Sequence, residues 1–467
     1  MAKVLYIGFG IAYPPSPDIK LGGAIVYQES LAEAVNACGW ETTCFFAGAQ
    51  YTPSIRSRPR LKMWYKNRIK FIELCNSPNI PGYMNSPDRQ CHNGDIENLT
   101  KRILAEEKPD IVHIHELQMH TASIIDTIVS QRIPVIKTMH NYYDICSQRD
   151  LMYKGKELCR DFERGKRCVE CLKTLPILSL QKRIAVVLLP GWLYKILAGF
   201  YKRIKRNKKP KSIFSYTADH YYYRHRFFVE RLNRLDAIHC SSFRSAEIFV
   251  EHGVFREKIV IIPNSAKSTE NISPKILLRD NRYPVVFGYV SGKYISRGYQ
   301  VLVDAFSRLD QTKAKLIIWG IPPSETVDKN LNMEFRPSFK SKEINQAFRE
   351  IDVGVIPSIW EEVFGLIGIE WLTAKIPVIG SNMGGIPDWL KDGENGFLVP
   401  PNDAVELARR MELFVKNPGL IAKIQQQIKP VMTFNQHINK MTALYKNVIN
   451  GRKNQIKNPE NGFFKRT

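Results

Sequence analysis

Two glutamates and the glycine turn between them are the residues of this chain whose types and spacing best indicate chemistry. Glu362 and Glu370 are separated by seven residues, and the turn Phe364-Gly365-Leu366 leads into an apolar helix. The first N–H groups of a helix have no partner within the helix, and with the helix dipole they attract an anion such as a diphosphate. Glycine lets that ligand approach the backbone closely. The segment therefore predicts a diphosphate site.

The two carboxylates repel phosphate, so they are better suited to accept hydrogen bonds from sugar hydroxyls, each contributing about 1.5–3 kcal/mol. We expect Glu370 to bind a ribose and Glu362 to bind the sugar that is transferred. The alternative is an amphipathic helix with a solvated glutamate. A short apolar run at 351–356 favours the first interpretation, because it predicts a buried parallel strand that ends at this loop, where open α/β sheets bind ligands.

The segment 357–400 continues with a strand at 376–380, a Gly384-Gly385 turn opening a helix, and a further strand. In order and spacing it resembles the donor-binding half of the retaining glycosyltransferases with two facing Rossmann-like domains, family 4 of the GT-B group. The resemblance implies that Glu370 holds the ribose, that Glu362 lies beside the donor sugar, and that the amides of 364–366 meet the diphosphate. This chain has Asp388 where family members usually have glutamate.

The length of 467 residues and the hydrophobic content of 44% exceed one ordinary core and suit two domains. We predict an α/β fold of GT-B architecture, with two facing Rossmann-like domains and a cleft between them. The predicted parts are an acceptor-binding domain (1–264) that contains a cysteine-rich loop (146–171) and an apolar and basic insertion (175–211), a linker (265–282), a nucleotide-sugar domain (283–434), a helix crossing back (435–450) and a flexible basic tail (451–467).

The first domain begins with a strand at 4–8, a proline-rich loop and the pair Gly22-Gly23 before a helix. A lone Gly-Gly pair usually marks a plain turn. Here it resembles the family's first glycine loop, which reaches across the cleft toward donor phosphate and acceptor, so we assign Gly22 and Gly23 to donor binding.

His115 and His140 end two further predicted strands, 109–115 and 134–140. A histidine in a strand is more often a packed residue than a catalytic one. Strand ends that face a cleft are, however, where functional groups collect, and the family places similar histidines near the donor sugar and acceptor. We therefore assign both histidines to positioning the sugar or the acceptor.

The loop after the first predicted donor-domain strand, 291–298, departs from the family. Members commonly carry an arginine and then a lysine there, directed at the diphosphate. Gly292 occupies the arginine position and Arg297 the lysine position, with Lys293 as a potential helper that offers an ammonium in place of a bidentate fork. The missing arginine motivates a rival interpretation, a scaffold protein that kept the fold without catalysis. A nucleotide-sugar isomerase of the same architecture is a second rival.

The chemistry implied by the resemblance is metal-independent sugar transfer from a nucleoside-diphosphate sugar to an acceptor hydroxyl, with retention at the anomeric carbon, as in hexosyltransferases. The nucleotide sugar is a co-substrate, and catalysis requires no cofactor. The helix-start amides and Arg297 would stabilise the departing diphosphate, and retention follows from front-face attack guided by the leaving phosphate.

Four of the nine cysteines, Cys146, Cys159, Cys168 and Cys171, form the pattern C-x12-C-x8-C-x2-C. The terminal C-x2-C is a compact chelating pair, and two further thiolates would complete a tetrahedral zinc site. The alternatives are four incidental thiols or an iron–sulfur cluster. Metal in this loop need not take part in catalysis.

The formal charge of +23 and the pI near 9.5 imply anionic partners beyond the donor. Seven basic residues between 202 and 211 follow an apolar stretch at 175–201, a pattern typical of contact with an anionic membrane surface, where each cation adds about 1 kcal/mol. The alternatives are a solvated insertion that completes the first domain, or nucleic acid, for which no binding module is present. We predict no nucleic-acid partner.

The first residues enter a strand without the features of a secretory signal, and no run of about 18 apolar residues occurs. We therefore expect a cytoplasmic protein, peripheral at the inner face of the plasma membrane. This setting suits a lipid-linked or growing glycan of a bacterial surface polysaccharide as acceptor.

Overall fold

The computed structural model describes residues 1–9, 23–48, 59–77, 79, 87–173, 216–275, 284–322 and 330–457. Gly22, the insertion 175–211, the linker residues 276–282 and the end of the tail, 458–467, lie outside the described residues.

The first half of the chain builds an eight-stranded sheet whose strands are β1 (Lys3–Phe9), β2 (Glu41–Ala47), β3 (Arg60–Lys66), β4 (Ile69–Cys75), β5 (Ile111–Ile114), β6 (Val135–Thr138), β9 (Ala237–Cys240) and β10 (Ile259–Ile261). A separate hairpin joins β7 (Met152–Tyr153) to β8 (Glu157–Leu158). The sheet order is β10-β9-β6-β5-β1-β2-β4-β3, and all neighbours run parallel except β3 and β4. Strands β5, β6 and β9 are buried along their whole length, because helices cover both faces of a parallel sheet.

The helices of this half are α1 (Gly23–Ala37), α2 (Pro87–Cys91), α3 (Gly94–Glu107), α4 (Ile124–Ser130), α5 (Lys166–Lys173), α6 (Ala218–Leu232) and α7 (Phe243–Glu251). Two apolar clusters fill the space between the sheet and these helices. The carboxyl ends of β1, β5 and β6 consequently meet at one edge of the sheet, which faces the second half of the chain.

The second half builds a six-stranded sheet from β11 (Val285–Val290), β12 (Ala314–Trp319), β13 (Met333–Arg336), β14 (Val353–Ile356), β15 (Val378–Ser381) and β16 (Gly396–Val399). Its order is β13-β12-β11-β14-β15-β16, with all neighbours parallel. This is the Rossmann order, in which the direction of winding reverses between the first and fourth strands and leaves a ligand crevice at their carboxyl ends.

The helices of the second half are α8 (Tyr299–Phe306), α9 (Ile344–Arg349), α10 (Leu366–Thr373), α11 (Ile386–Trp389), α12 (Ala404–Lys416), α13 (Gly419–Gln427) and α14 (Phe434–Lys457). The predicted α/β class with two parallel-sheet domains is confirmed. Within the described ranges, no helix combines the length and the apolar character needed to cross a membrane.

Helix α14 returns to the first sheet and completes one of its apolar clusters. Ile438, Met441 and Tyr445 are buried there against residues of β1 and α1. The hydroxyl of Tyr445 lies 2.7 Å from Nδ1 of His113 and 3.2 Å from the hydroxyl of Tyr6. The last helix therefore contributes core to the domain that the first residues begin.

We expect the substitution Met441→Ala to lower the free energy of unfolding of the first domain by about 2–5 kcal/mol, because it removes a fully buried side chain and leaves a cavity. The adjacent Lys440 is exposed on the same helix, so Lys440→Ala is the control and should change stability by at most about 0.5 kcal/mol. Urea unfolding of both variants measures the difference. Equal stabilities would show that α14 adds nothing to this core.

Candidate active site

A cavity of about 410 Å³ lies in the cleft between the two sheets, at the carboxyl ends of their central strands. The first domain lines it with the start of α1 and with the residues after β6 and β9. The second domain lines it with the loops after β11 and β14 and with the first turn of α10. The cavity therefore lies where the reversal of strand order predicts a ligand site.

The turn into α10 has the backbone that the sequence predicts. Gly365 adopts φ 85° and ψ 61°, a left-handed conformation that residues with a side chain rarely adopt. Phe364, Gly365, Leu366 and Ile367 all line the cavity, and the N-cap residue Gly365 has no side chain that could cap the helix start. The N–H of Gly368 donates to the Gly365 carbonyl, which leaves the N–H groups of Leu366 and Ile367 available to an anion at this edge of the cavity.

Glu362 lies just before this turn, and its side chain is only 7% exposed. Its carboxylate forms an ion pair with the Arg297 guanidinium and accepts a hydrogen bond of 3.0 Å from Nε1 of Trp360. The guanidinium lies 4.8 Å from the centre of the Trp360 ring. The structure thus brings Glu362 and Arg297 together beside the helix start, as a neutralised pair.

Glu370 lies on the same helix, in its second turn. It accepts a hydrogen bond from the hydroxyl of Ser268, which belongs to the short 3-10 turn Lys267–Asn271. Burial raises the pKa of the Glu370 carboxyl to about 7. Ile367 and Trp371 of the same helix line the cavity, whereas Glu370 does not. Of the two predicted glutamates, Glu362 therefore lines the cavity, and Glu370 is held by Ser268 without being part of the lining.

His140 lines the cavity, and His115 lies behind it, with 3.0 Å between Nε2 of His140 and Nδ1 of His115. Burial lowers the pKa of His140 to about 3 and that of His115 well below its ordinary range. Both imidazoles are therefore neutral near pH 7 and act as hydrogen-bonding groups. Nε2 of His115 has no hydrogen-bond partner among the described residues.

The start of α1 contributes Gly23 and Ala24 to the cavity wall, next to Tyr27. The Tyr27 hydroxyl lies 2.6 Å from Nε2 of His437 on α14, and Nδ1 of His437 lies 2.9 Å from the carbonyl oxygen of Pro263. Burial lowers the pKa of His437 to about 3, so its ring is neutral. Since a carbonyl only accepts, Nδ1 donates to it and Nε2 accepts from Tyr27.

Lys293 and Arg297, the two predicted cations of the loop after β11, occupy different environments. Arg297 lines the cavity, whereas Lys293 does not. The Lys293 ammonium lies 5.2 Å from the ring centre of Phe335 and 5.9 Å from that of Tyr299. Of these two side chains, Arg297 is therefore the one placed to meet a ligand at the helix start.

Direct contacts join the two domains beside the cavity. The backbone N–H of Phe243 donates to Asp388 at 2.7 Å, so the residue that departs from the family pattern holds the first residue of α7. Arg244 forms an ion pair of 3.4 Å with Glu361. Trp360 and Val363 pack in an apolar cluster of the first domain. These contacts fix the loop after β14 against the neighbouring domain.

Sequence reasoning missed Tyr27, Trp360, Ser268 and His437 as residues of this site. Trp360 stands two positions before Glu362, so its proximity to the motif was a usable signal. The other three reach the site only through contacts between distant parts of the chain, and their types and spacing give no local signal.

The four cysteines of the predicted zinc site are free thiols. No group of three or more His, Cys, Asp or Glu side chains is placed to hold a metal ion as it stands, in the part of the chain that the structure describes. The predicted ligands are therefore not converged on one point in this arrangement.

Two family models match the chain. The model for Glycosyltransferase Family 4 matches residues 21–267, and the model for glycosyl transferases group 1 matches residues 270–430. The match boundary falls between the two sheets, so each model corresponds to one of them.

Similar curated proteins match shorter stretches. The chain is 35% identical over 92 residues to a D-inositol 3-phosphate glycosyltransferase of Streptomyces bingchenggensis, which covers 20% of each chain. It is 25% identical over 194 residues to an uncharacterized 41.2 kDa protein in the cps region of Klebsiella pneumoniae, covering 40% of this chain and 54% of that one. The chain thus matches about a fifth to a half of the length of these relatives.

Similar solved structures span almost the whole chain. Sucrose-phosphate synthase from Thermosynechococcus elongatus has a TM-score of 0.63 at 16% identity, covering 97% of this chain and 100% of that one. Anabaena HepE in complex with UDP-glucose has a TM-score of 0.52 at 13% identity, covering 98% and 100%. These similarities confirm the predicted GT-B architecture.

The raised pKa of Glu370 predicts how stability depends on pH. The folded carboxyl has a pKa of about 7, against an ordinary value of 4.5, so the folded state binds this proton more tightly than the unfolded state does. Ionisation therefore costs the wild type about 1–3 kcal/mol of stability as the pH rises from below 4.5 through 7. Glu370→Gln does not ionise and should be the more stable protein at pH 8, with the advantage vanishing near pH 4.

Urea unfolding of the wild type and Glu370→Gln across this pH range measures the effect. Ser268→Ala is the matched second variant, because it removes the hydroxyl that favours the ionised form and should enlarge the loss at high pH. Parallel pH profiles for all three proteins would contradict the assignment.

Proposed function

Because the chain belongs to glycosyltransferase family 4, we propose that it transfers a sugar from a nucleoside-diphosphate sugar to an acceptor hydroxyl with retention at the anomeric carbon. The observation that carries the proposal is the uncapped start of α10 at the cavity, with Glu362 and Arg297 beside it and Glu370 further along the same helix. The similar structures of Anabaena HepE in complex with UDP and with UDP-glucose support a nucleotide sugar as co-substrate. In this proposal, the sheet of 283–434 binds the donor and that of 1–264 the acceptor.

The diphosphate binds the first N–H groups of α10 and the Arg297 guanidinium. Arg297 must then leave Glu362 in part, and a buried carboxylate that loses its partner is strongly destabilised. The hydroxyls of the donor sugar can replace the guanidinium at Glu362, while Trp360 keeps its hydrogen bond. Donor binding is therefore an exchange of partners, which favours a diphosphate that carries a sugar over one that does not.

The ribose binds Glu370. Its hydroxyls take the place of the Ser268 hydroxyl, or add to it, as donors to the carboxylate. Hydrogen bonds to the ionised form lower the pKa of a carboxyl. Nucleotide binding should therefore draw the pKa of Glu370 down from about 7 and keep it ionised at neutral pH.

The transfer step needs charge stabilisation and a proton acceptor. The acceptor oxygen attacks the anomeric carbon on the face from which the diphosphate departs, and the hydroxyl proton passes to the departing phosphate oxygen. The amides of α10 and Arg297 hold the negative charge that develops on the diphosphate, a contribution that preorganised donors make in a water-poor cleft. His140, neutral and backed by His115, orients hydroxyls of the sugar or acceptor.

The proposed acceptor is a lipid-linked or growing glycan of a surface polysaccharide. The similarity to a protein in the cps region of Klebsiella pneumoniae supports this class. A strongly basic protein is attracted to an anionic membrane surface, and a lipid-linked acceptor would be met there. We accordingly propose that the protein works at the inner face of the plasma membrane, with the predicted basic run as its contact.

Neutralising the basic run tests the membrane contact. We expect replacement by glutamine to reduce sedimentation with anionic vesicles, because each lost cation removes about 1 kcal/mol of attraction. The residues to replace are Lys202, Arg203, Lys205, Arg206, Lys208, Lys209 and Lys211. Neutral vesicles are the control, and sedimentation equal to that of the wild type would contradict the contact.

The two glutamates should separate donor binding from transfer. A thermal-stabilisation screen first identifies the nucleoside diphosphate that binds. Glu362→Gln should bind this nucleotide as tightly as the wild type or more tightly, since Arg297 is released, while its rate of sugar transfer falls about 10- to 150-fold. Glu370→Ala should lower the affinity for the nucleotide itself by a similar factor.

Glu257→Ala, on the surface of the first domain, is the control for both variants and should match the wild type. Calorimetry gives the affinities, and product formation gives the transfer rates. The assignment is wrong if Glu362→Gln transfers sugar at the wild-type rate, or if both glutamate variants lose the same nucleotide affinity. Measuring the mass of the product also distinguishes a transferase from an isomerase, because isomerisation would leave the mass of the donor unchanged.

A further inference from the structure

The cysteine-rich loop brings four thiols together from three segments. Cys146 follows β6, Cys159 follows the hairpin of β7 and β8, and Cys168 and Cys171 lie three residues apart on α5. Residues three apart on a helix share one face. Each of the four sulfurs lies close enough to the other three to interact with them electrostatically.

The Cys171 sulfur contacts two other parts of the loop. The backbone N–H of Lys154 donates to it at 3.1 Å, and the Cys171 thiol donates to Oε1 of Gln148, two residues after Cys146, at 2.8 Å. Helix α5, with its two cysteines, is therefore held against the hairpin and against the residues that follow Cys146. Amides that bond to the sulfur ligands are typical of the surroundings of a metal site.

The loop has little core of its own. Between residues 153 and 172, the buried apolar side chains are those of Cys171 and Leu172. Five residues of the loop have positive φ without being glycine: Arg149, Leu151, Lys154, Glu163 and Arg164. Such conformations persist only where the surroundings enforce them, and small segments without a core are usually held by disulfides or a metal.

We propose that Cys146, Cys159, Cys168 and Cys171 bind one structural Zn²⁺ with tetrahedral geometry. The sulfurs are neighbours that do not yet converge on one point, so the metal draws them to Zn–S distances of about 2.3 Å. Binding ties the hairpin and α5 to the residues that follow β6. The site is separate from the proposed transfer chemistry.

The zinc would stabilise the segment that follows β6 and begins at the cavity residue His140. In this segment, the side-chain amide of Asn141 donates to Glu116 at 2.7 Å. Further along, Arg149 donates to Gln118 at 3.3 Å. Both partners follow β5 on the acceptor side of the cleft. Loss of the metal should therefore loosen the acceptor side and leave the nucleotide side unchanged.

Metal analysis of the full chain, purified without a histidine tag from cells supplied with zinc, tests the proposal. We expect about one zinc ion per chain, bound through four thiolates. The double variant Cys168→Ser/Cys171→Ser should contain zinc only at background level. Cys38→Ser, at an exposed cysteine, and Cys91→Ala, at a buried one, are the controls and should keep one zinc each.

Because the double variant could fail to fold, the wild type is also tested directly. A thiol-specific mercurial should release the zinc in proportion to the thiols it modifies. Replacement by Co²⁺ should give the visible spectrum of a tetrahedral cobalt–thiolate site. Nucleotide affinity should be retained in the zinc-depleted protein, whereas the KM for acceptor should rise.

Three results would overturn the proposal. The first is folded wild-type protein that carries no zinc and four titratable free thiols in this loop. The second is a pair of disulfides, seen as missing thiols in the denatured, unreduced chain. The third is iron with acid-labile sulfide in place of zinc, which would assign the cysteines to an iron–sulfur cluster. None of these results would affect the proposed sugar transfer, whose test uses different residues and readouts.

Discussion

A buried carboxylate must always have partners, and this constraint on Glu362 organises the cleft. Its side chain lies between the two domains, where an unpaired charge would cost several kcal/mol. Arg297 and Trp360 supply the partners from the loops after β11 and β14. The indole ring of Trp360 also packs against the Arg297 guanidinium. In the proposed function, a ligand that recruits Arg297 would have to provide hydroxyl donors to Glu362 in return, so the same contact would stabilise the site and select its ligand.

The loop that carries Glu362 connects this constraint to the fold, because the loop is part of the second domain but packs against the first. Its backbone comes from the second sheet, yet Trp360 and Val363 pack in the core of the first. Asp388 and Glu361 add contacts across the cleft, both to α7, through the Phe243 N–H and the Arg244 guanidinium respectively. Movement of one domain relative to the other would thus disturb the surroundings of the carboxylate, which couples the relative position of the domains to the state of the site.

The sequence was sufficient for those parts of the site that are set by local backbone geometry. A buried strand, a glycine with a positive φ and a helix start follow one another along the chain, so the position of Gly365 at the cavity can be predicted from residues 351–370. Contacts between distant segments could not be predicted from the local sequence. Ser268 meets Glu370 across 102 residues, and Tyr27 meets His437 across 410. Lys293 shows the same limit, because its side chain turns toward aromatic rings that the spacing could not reveal.

The charge of the cavity bears on whether the proposed diphosphate site can do without an arginine at the position of Gly292. Among the described residues that line the cavity, the charged side chains are one cation, Arg297, and one anion, Glu362. A diphosphate carries more negative charge than this single guanidinium can offset, so fixed dipoles must supply the rest. The first N–H groups of α10 are such dipoles, and they need no reorganisation when the ligand arrives. The overall charge of +23 would act at longer range, where it would raise the rate at which the proposed anionic donor reaches the cleft more than the strength with which it binds there.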